Sequence, residues 1–188
     1  APDGTTPIRV QTLVGAIALL PVGILRAGDA EVAQRLRHRF DRIIARASDG
    51  GEPRHVHRSA DGSSVALTAV SPEELRRTLA SLFDEAAFLS PYGLRSLSKR
   101  HELMYEVPGH PEARIEYEPG EGRTNMYGGN SNWRGPLWMP LNVMIIGSLK
   151  RYHSFLGDAY RVEYPTGSGE RLTLAEIGPH AFRTESAA

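Results

Sequence analysis

The chain contains no cysteine in its 188 residues. That excludes disulfides, thiolate nucleophiles and any cysteine-ligated metal, and it suits a reducing compartment. Lysine is nearly missing too. Lys99 and Lys150 are present, and every other basic residue is an arginine. This bias fits a GC-rich coding sequence better than a set of guanidinium forks selected for oxygen recognition. Charge of one sign is also lacking, with 22 basic residues against 22 acidic ones. No overall field draws the chain to nucleic acid or to an anionic membrane. The apolar run 13–25 contains Pro21 and is too short to span a bilayer. It also lacks the cationic leader and cleavage pattern of a signal peptide. The expected location is therefore cytoplasmic.

What is present is globular in composition, 40% hydrophobic and 23% charged, enough for one domain with its own core. The chain opens on Ala1 rather than methionine, as a processed, trimmed or partial chain would. Residues 8–26 read as a mostly apolar helix bent or broken near Pro21. Asp29 is a plausible N-cap for a second helix, whose stripe is Val32, Leu36, Phe40, Ile43, Ile44 and Ala47. The arginines on its other face read as a solvated surface.

Residues 48–64 read as a polar loop holding His55 and His57. On a strand that spacing would aim both imidazoles one way, as a metal site needs. No third histidine stands near them, so surface histidines are the simpler reading.

Ser71-Pro72-Glu73-Glu74 is a helix start, with a serine cap, a first-turn proline and a capping-box glutamate. Leu75, Leu79 and Leu82 continue it on one face. Residues 113–118 alternate as in a short hairpin arm. A third helix is expected over 136–156, with Leu137, Leu141, Met144, Ile145, Leu149, Tyr152 and Leu156 as its stripe and Gly157-Asp158 as its stop. Tyr160, Val162 and Tyr164 alternate, residues 165–169 turn, and a last helix begins near Leu172. The fold class expected from these segments is all-α with elaborated loops.

The stretch 128–142 carries the chemistry. Both tryptophans, Trp133 and Trp138, lie in it among Asn130, Asn132, Arg134 and Asn142, where a loop runs into a helix. A pyranose presents a flat C–H face and a rim of hydroxyls. An indole ring covers the face, while asparagine and arginine supply donors and acceptors for the rim. Tyr127 closes the side, and Glu121 is the best-placed carboxylate of the acid-rich loop for a sugar contact. The alternative is a structural tryptophan corner beneath a glycine-rich turn, and these residues alone leave both readings open. Arg95 could line the site or hold its loop, and the structural role is the simpler reading.

Three ordered blocks carry a resemblance. They are Pro7-Ile8-Arg9-Val10 with Gly15 and Leu19-Leu20-Pro21; the run 88–98; and Asn132-Trp133-Arg134-Gly135-Pro136 with Trp138 and Asn142. Over about residues 3–175 the chain resembles glycoside hydrolase family 63 and its bacterial relatives, the mannosylglycerate and glucosylglycerate hydrolases; residues 176–188 diverge. The resemblance implies one (α/α)6 barrel domain over residues 1–188, here incomplete. It implies inverting hydrolysis of an α-linked glucosyl or mannosyl compound by an acid–base pair of carboxylates, with no metal or other cofactor.

The family's acid, an aspartate upstream of the first block, and its base, a glutamate beyond the Pro-Thr-Gly block, match no residue here. Asp3 is not assigned to either role. The expectation is an interior fragment, inactive and marginally stable alone, that walls a sugar site. Its partners would be the carbohydrate and the rest of its own barrel. The rival expectation is a truncated, non-catalytic carbohydrate-binding or scaffold protein.

Overall fold

Local signals place the first α-helix among the described residues. In the computed structural model, which describes residues 10–26, 56–59, 63–102, 105–107, 110–119 and 136–180, helix α1 spans Pro72–Leu82. The Ser71 hydroxyl accepts from the Glu74 N–H at 3.2 Å, and the Glu74 carboxylate accepts from the Ser71 N–H at 2.8 Å. This is the expected capping box. Leu75, Leu79 and Leu82 are buried along its inner face.

Helix α2, Met139–Leu156, is the long central element. It begins later than residue 136 because the backbone before it is extended and bonded elsewhere: the Pro136 carbonyl accepts from the Ser96 N–H at 2.8 Å. Leu141, Ile145, Leu149 and Tyr152 are buried as the stripe requires. Met144, expected in that stripe, lies on the outer flank with Met139 and Val143, all exposed. Gly157 ends the helix at φ 67°, a conformation that costs glycine little. Helix α3, Leu174–His180, starts on a second reciprocal cap, in which Thr173 and Glu176 exchange bonds of 2.7 and 3.3 Å. Its Leu174 and Ile177 are fully buried, and the helix packs on α2.

The all-α class does not hold. Among the described residues the helices share the chain with one three-stranded antiparallel sheet and three two-stranded hairpins, a mixed α/β arrangement in place of the expected (α/α)6 ring. The segment expected as a helix bent or broken near Pro21 is a 3-10 helix, Leu13–Leu19, followed after Pro21 by strand β1, Val22–Arg26. The expected polar loop contains β2, Val56–Arg58, and runs into β3, Ser64–Thr68. β3 is central, pairing Val22 through Arg26 on one edge and Val56 through Arg58 on the other. A short apolar run does not distinguish helix from strand by period. Here the strand wins because a second short run, far away in sequence, offers a matching antiparallel partner.

The hairpins are β4, Leu89–Ser90, with β5, Gly93–Leu94; β6, Tyr105–Val107, with β7, His110–Ile115; and β8, Arg161–Glu163, with β9, Arg171–Thr173. The arm expected at 113–118 overlaps β7. The helix expected after Asp29 lies outside the described residues.

One apolar core joins these pieces. Leu13, Ala16 and Leu19 of the 3-10 helix, the inner faces of α1 and α2, Leu94 of β5 and Leu174 and Ile177 of α3 belong to it. The β8–β9 hairpin is fastened onto α1. The Tyr160 hydroxyl donates to the Pro72 carbonyl at 2.7 Å. Thr166 donates its N–H to Phe83 at 3.0 Å and its hydroxyl to Ala80 at 2.8 Å. Beneath them the rings of Phe83 and Tyr164 meet edge to face at 5.0 Å.

Candidate functional site

The described parts of the three sequence blocks, far apart along the chain, come together side by side. Leu13 donates its N–H to Ser96 at 2.9 Å, and Ser98 donates to Gln11 at 3.0 Å. On the other side of the same segment, Ser96 donates to Pro136 at 2.8 Å. Antiparallel bridges join Thr12 to Leu97 and Arg95 to Leu137. Residues 95–98 thus form the middle rung of a short, irregular ladder that fixes the chain entering α2.

Two side chains lock this ladder. Asn142, on the first turn of α2, is fully buried. Its Oδ1 accepts from the Leu94 N–H at 2.8 Å, and its Nδ2 donates to the Leu94 carbonyl at 3.1 Å and to the Trp138 carbonyl at 3.0 Å. The amide can face only this way, since the flipped form would set an oxygen against two carbonyls. Arg95 reaches back beneath the β4–β5 hairpin. Its guanidinium donates to the carbonyls of Leu89 and Glu85, the latter at 3.1 Å, and to the Tyr117 hydroxyl at 3.2 Å. It also lies over the Tyr117 ring, 5.8 Å from the centroid. Arg95 therefore holds its loop, the role its sequence context suggested.

His101 closes the other end of the ladder. Its Nε2 accepts the Gln11 N–H at 2.8 Å, which requires that nitrogen to be unprotonated. Burial lowers its pKa in the same sense.

Of the residues expected at a sugar site, Trp138 is the one placed. It is the N-cap of α2 and half-buried against the core. Trp133, Arg134, Asn132, Asn130, Tyr127 and Glu121 lie outside the described residues. Asn142, read as a member of the same polar cluster, spends its amide on backbone groups instead. The described end of the acid-rich loop buries Glu118 and half-buries Glu116. His57 stands in β2 while His55 lies outside the description. No metal-binding group of three or more His, Asp or Glu forms among the described residues, nor is any described helix long and apolar enough to cross a membrane.

The sequence reading missed one concavity, a groove of about 440 Å³ between α1 and the β8–β9 hairpin. Arg76, Glu163, Thr166 and Arg171 line it over Ala80 and Val162. The guanidiniums of Arg76 and Arg171 both donate to the Arg161 carbonyl, at 2.8 and 3.1 Å. Glu163 accepts the Gly169 N–H at 2.6 Å. That bond, a second from the Gly167 N–H and the charge of Arg171 hold its carboxyl below the usual range. The 165–169 turn was legible, but that it folds back to hold a carboxylate was not.

The model of the mannosylglycerate hydrolase MGH1-like glycoside hydrolase domain matches residues 26–176. The chain belongs to this family. The match covers two of the three laced blocks and the whole of α2. An uncharacterized protein of Saccharomyces cerevisiae is similar to this member of the MGH1-like family, 44% identical over 141 residues. The alignment takes in 73% of the chain and 12% of the yeast protein, so this MGH1-like chain spans a small part of that relative's length. No solved structure matches it.

Proposed function

We propose that this chain forms one wall of the sugar site of a glycoside hydrolase that acts with inversion on an α-linked glucosyl or mannosyl compound, in the manner of family 63. The observation that carries the reading is the family match across the stretch around Trp138. The ladder and Asn142, which fix the start of α2 in one register, support it. Trp133 and Trp138 face the sugar ring, where an indole suits the apolar face of a pyranose. Asn130, Asn132 and Arg134 bond its hydroxyls or a substrate carboxylate. Tyr127 closes the side, and Glu121 accepts from a hydroxyl. Inversion needs a second carboxyl group across the ring from the acid. The proposal assigns neither role to a residue of this chain, which is expected to bind without turning over.

The test is a titration of the intact chain with methyl α-mannopyranoside and methyl α-glucopyranoside, read by tryptophan emission, beside a release assay with the matching aryl glycosides. A saturable response in the millimolar range that is lost in Trp138→Ala is expected, with no aryl release. An α-glycoside response that is absent, or that survives both Trp133→Ala and Trp138→Ala, would refute the sugar wall. Aryl release by the chain would refute the assignment of the acid and base elsewhere.

A further inference from the structure

We infer that Asn142 is the positioning residue of the sugar wall. Its amide sets the register between α2 and the β4–β5 hairpin, and so fixes how Trp138 is presented. The inference rests on the sugar-site reading for its functional consequence, and on geometry alone for its structural one.

The side-chain amide of Asn142 reads both hydrogen-bonding groups of one residue, the N–H and the carbonyl of Leu94. A two-point contact of this kind fixes direction as well as distance. A slide of α2 by one residue would bring a different side chain opposite Leu94, and neither bond would form. The second Nδ2 proton goes to the Trp138 carbonyl, which also accepts the Asn142 N–H at 3.1 Å. The carbonyl of the cap residue is therefore held twice from one residue, a turn further on. Carbonyls at the start of a helix ordinarily take one intrahelical donor. The added bond restrains the peptide plane that follows the Trp138 side chain.

Burial makes these bonds consequential. Asn142 is fully buried, and so is Leu94, at 1% exposure. Losing either amide atom leaves a buried backbone group without a partner. Asparagine is a poor choice for a helix interior, and the bland role of filling this space would be met better by leucine. The contacts of Arg95 and Ser96 with the same entry segment fix residues 136 and 137. Asn142 adds the point just past Trp138, so this indole is bracketed on both sides.

The experiment puts Asn142→Asp and Asn142→Ala into a Trp133→Phe background, where Trp138 is the sole fluorophore of its kind. Leu149→Ala, buried on the same helix two turns on, serves as the control for lost stability. Asn142→Asp keeps an acceptor for the Leu94 N–H but sets oxygen against two carbonyls. Asn142→Ala removes all three bonds without adding charge, and covers the case in which the aspartate variant fails to fold.

The expected result is a red-shifted, more readily quenched Trp138 emission in the folded Asn142 variants and, when the same substitutions are made in the chain that keeps Trp133, α-glycoside affinity weakened about tenfold or more. Leu149→Ala should lower the melting temperature while leaving both readouts at their starting values. Acid should move the emission of Asn142→Asp back toward the parent, because a protonated carboxyl again donates to one carbonyl. The inference is overturned if the Asn142 variants keep the parental Trp138 emission, or if Leu149→Ala shifts it as far. A chain that keeps both tryptophans and ignores the glycosides counts against the sugar wall, while the emission comparison in the Trp133→Phe background still decides whether Asn142 positions Trp138.

Discussion

Arg95→Met is the perturbation whose outcome follows most directly from the structure. Methionine keeps most of the stem and removes the guanidinium. Three donated bonds go with it, to Glu85, Leu89 and Tyr117. The Glu85 carbonyl is reached from solvent, and water takes over there. The Leu89 carbonyl is part-buried beneath the hairpin, and a charged donor to such a group contributes about 1.5–3 kcal/mol. The bond to the Tyr117 hydroxyl adds about 0.5–1.5 kcal/mol. The expected loss is about 2–4 kcal/mol, which for a chain of this size lowers the melting temperature by roughly 4–16 °C. Thermal melts followed by circular dichroism measure it, with Arg151→Met on the exposed side of α2 as the control. Arg95→Lys should fall close to Arg95→Met, because one ammonium cannot fork to both carbonyl and phenol. Melting of Arg95→Met within about 2 °C of the parent would show that water satisfies the Leu89 carbonyl and that the ladder does not depend on this clamp.

Ser71→Ala opens the capping box of α1 and should cost about 1 kcal/mol, read as a lower denaturant midpoint with an unchanged slope. Tyr152 is buried and its hydroxyl has no hydrogen-bond partner among the described residues, so Tyr152→Phe should melt at or slightly above the parent temperature. Burial, followed by the nearby Tyr160, pushes the Tyr152 phenol from 10.0 to about 12. Its folded pKa is raised, so that stability is intact below pH 10 and is lost as pH rises toward 12; the alkaline decline should be shallower in Tyr152→Phe. Glu163 and Glu176 are held below their ordinary value of 4.5, chiefly by backbone N–H groups of Gly169 and Thr173. Their contribution is present above pH 4.5 and fades as pH falls through the lowered values, so Glu163→Gln with Glu176→Gln should melt lower at neutral pH and lose less on acidification. An acid branch identical to the parent's would refute those two assignments.

The helices were legible where their ends are written locally. Ser71 with Glu74 marks one start, and Gly157 marks one stop, and both signals need only neighbouring residues. The strands of the three-stranded sheet were not legible, because their cause is remote. Val22 to Arg26 becomes a strand by pairing with Ser64 to Thr68, and nothing in either short run names the other. The same holds for α2, whose first turn expected at Pro136 is drawn out by Ser96.

Asn142 shows how far composition can carry a site and where it fails. Asparagine near tryptophan suits a sugar rim, and by residue type Asn142 is no different from Asn130 or Asn132. Its position is different. It stands four residues after Trp138 on a helix, and i to i+4 spacing places a side chain back over the preceding turn. From there a short amide reaches the helix's own free carbonyls and whatever backbone packs on that turn, rather than a ligand beyond the cap. The physical distinction is therefore spacing relative to a helix start, and it marks Asn142 as a residue that holds the entry to α2.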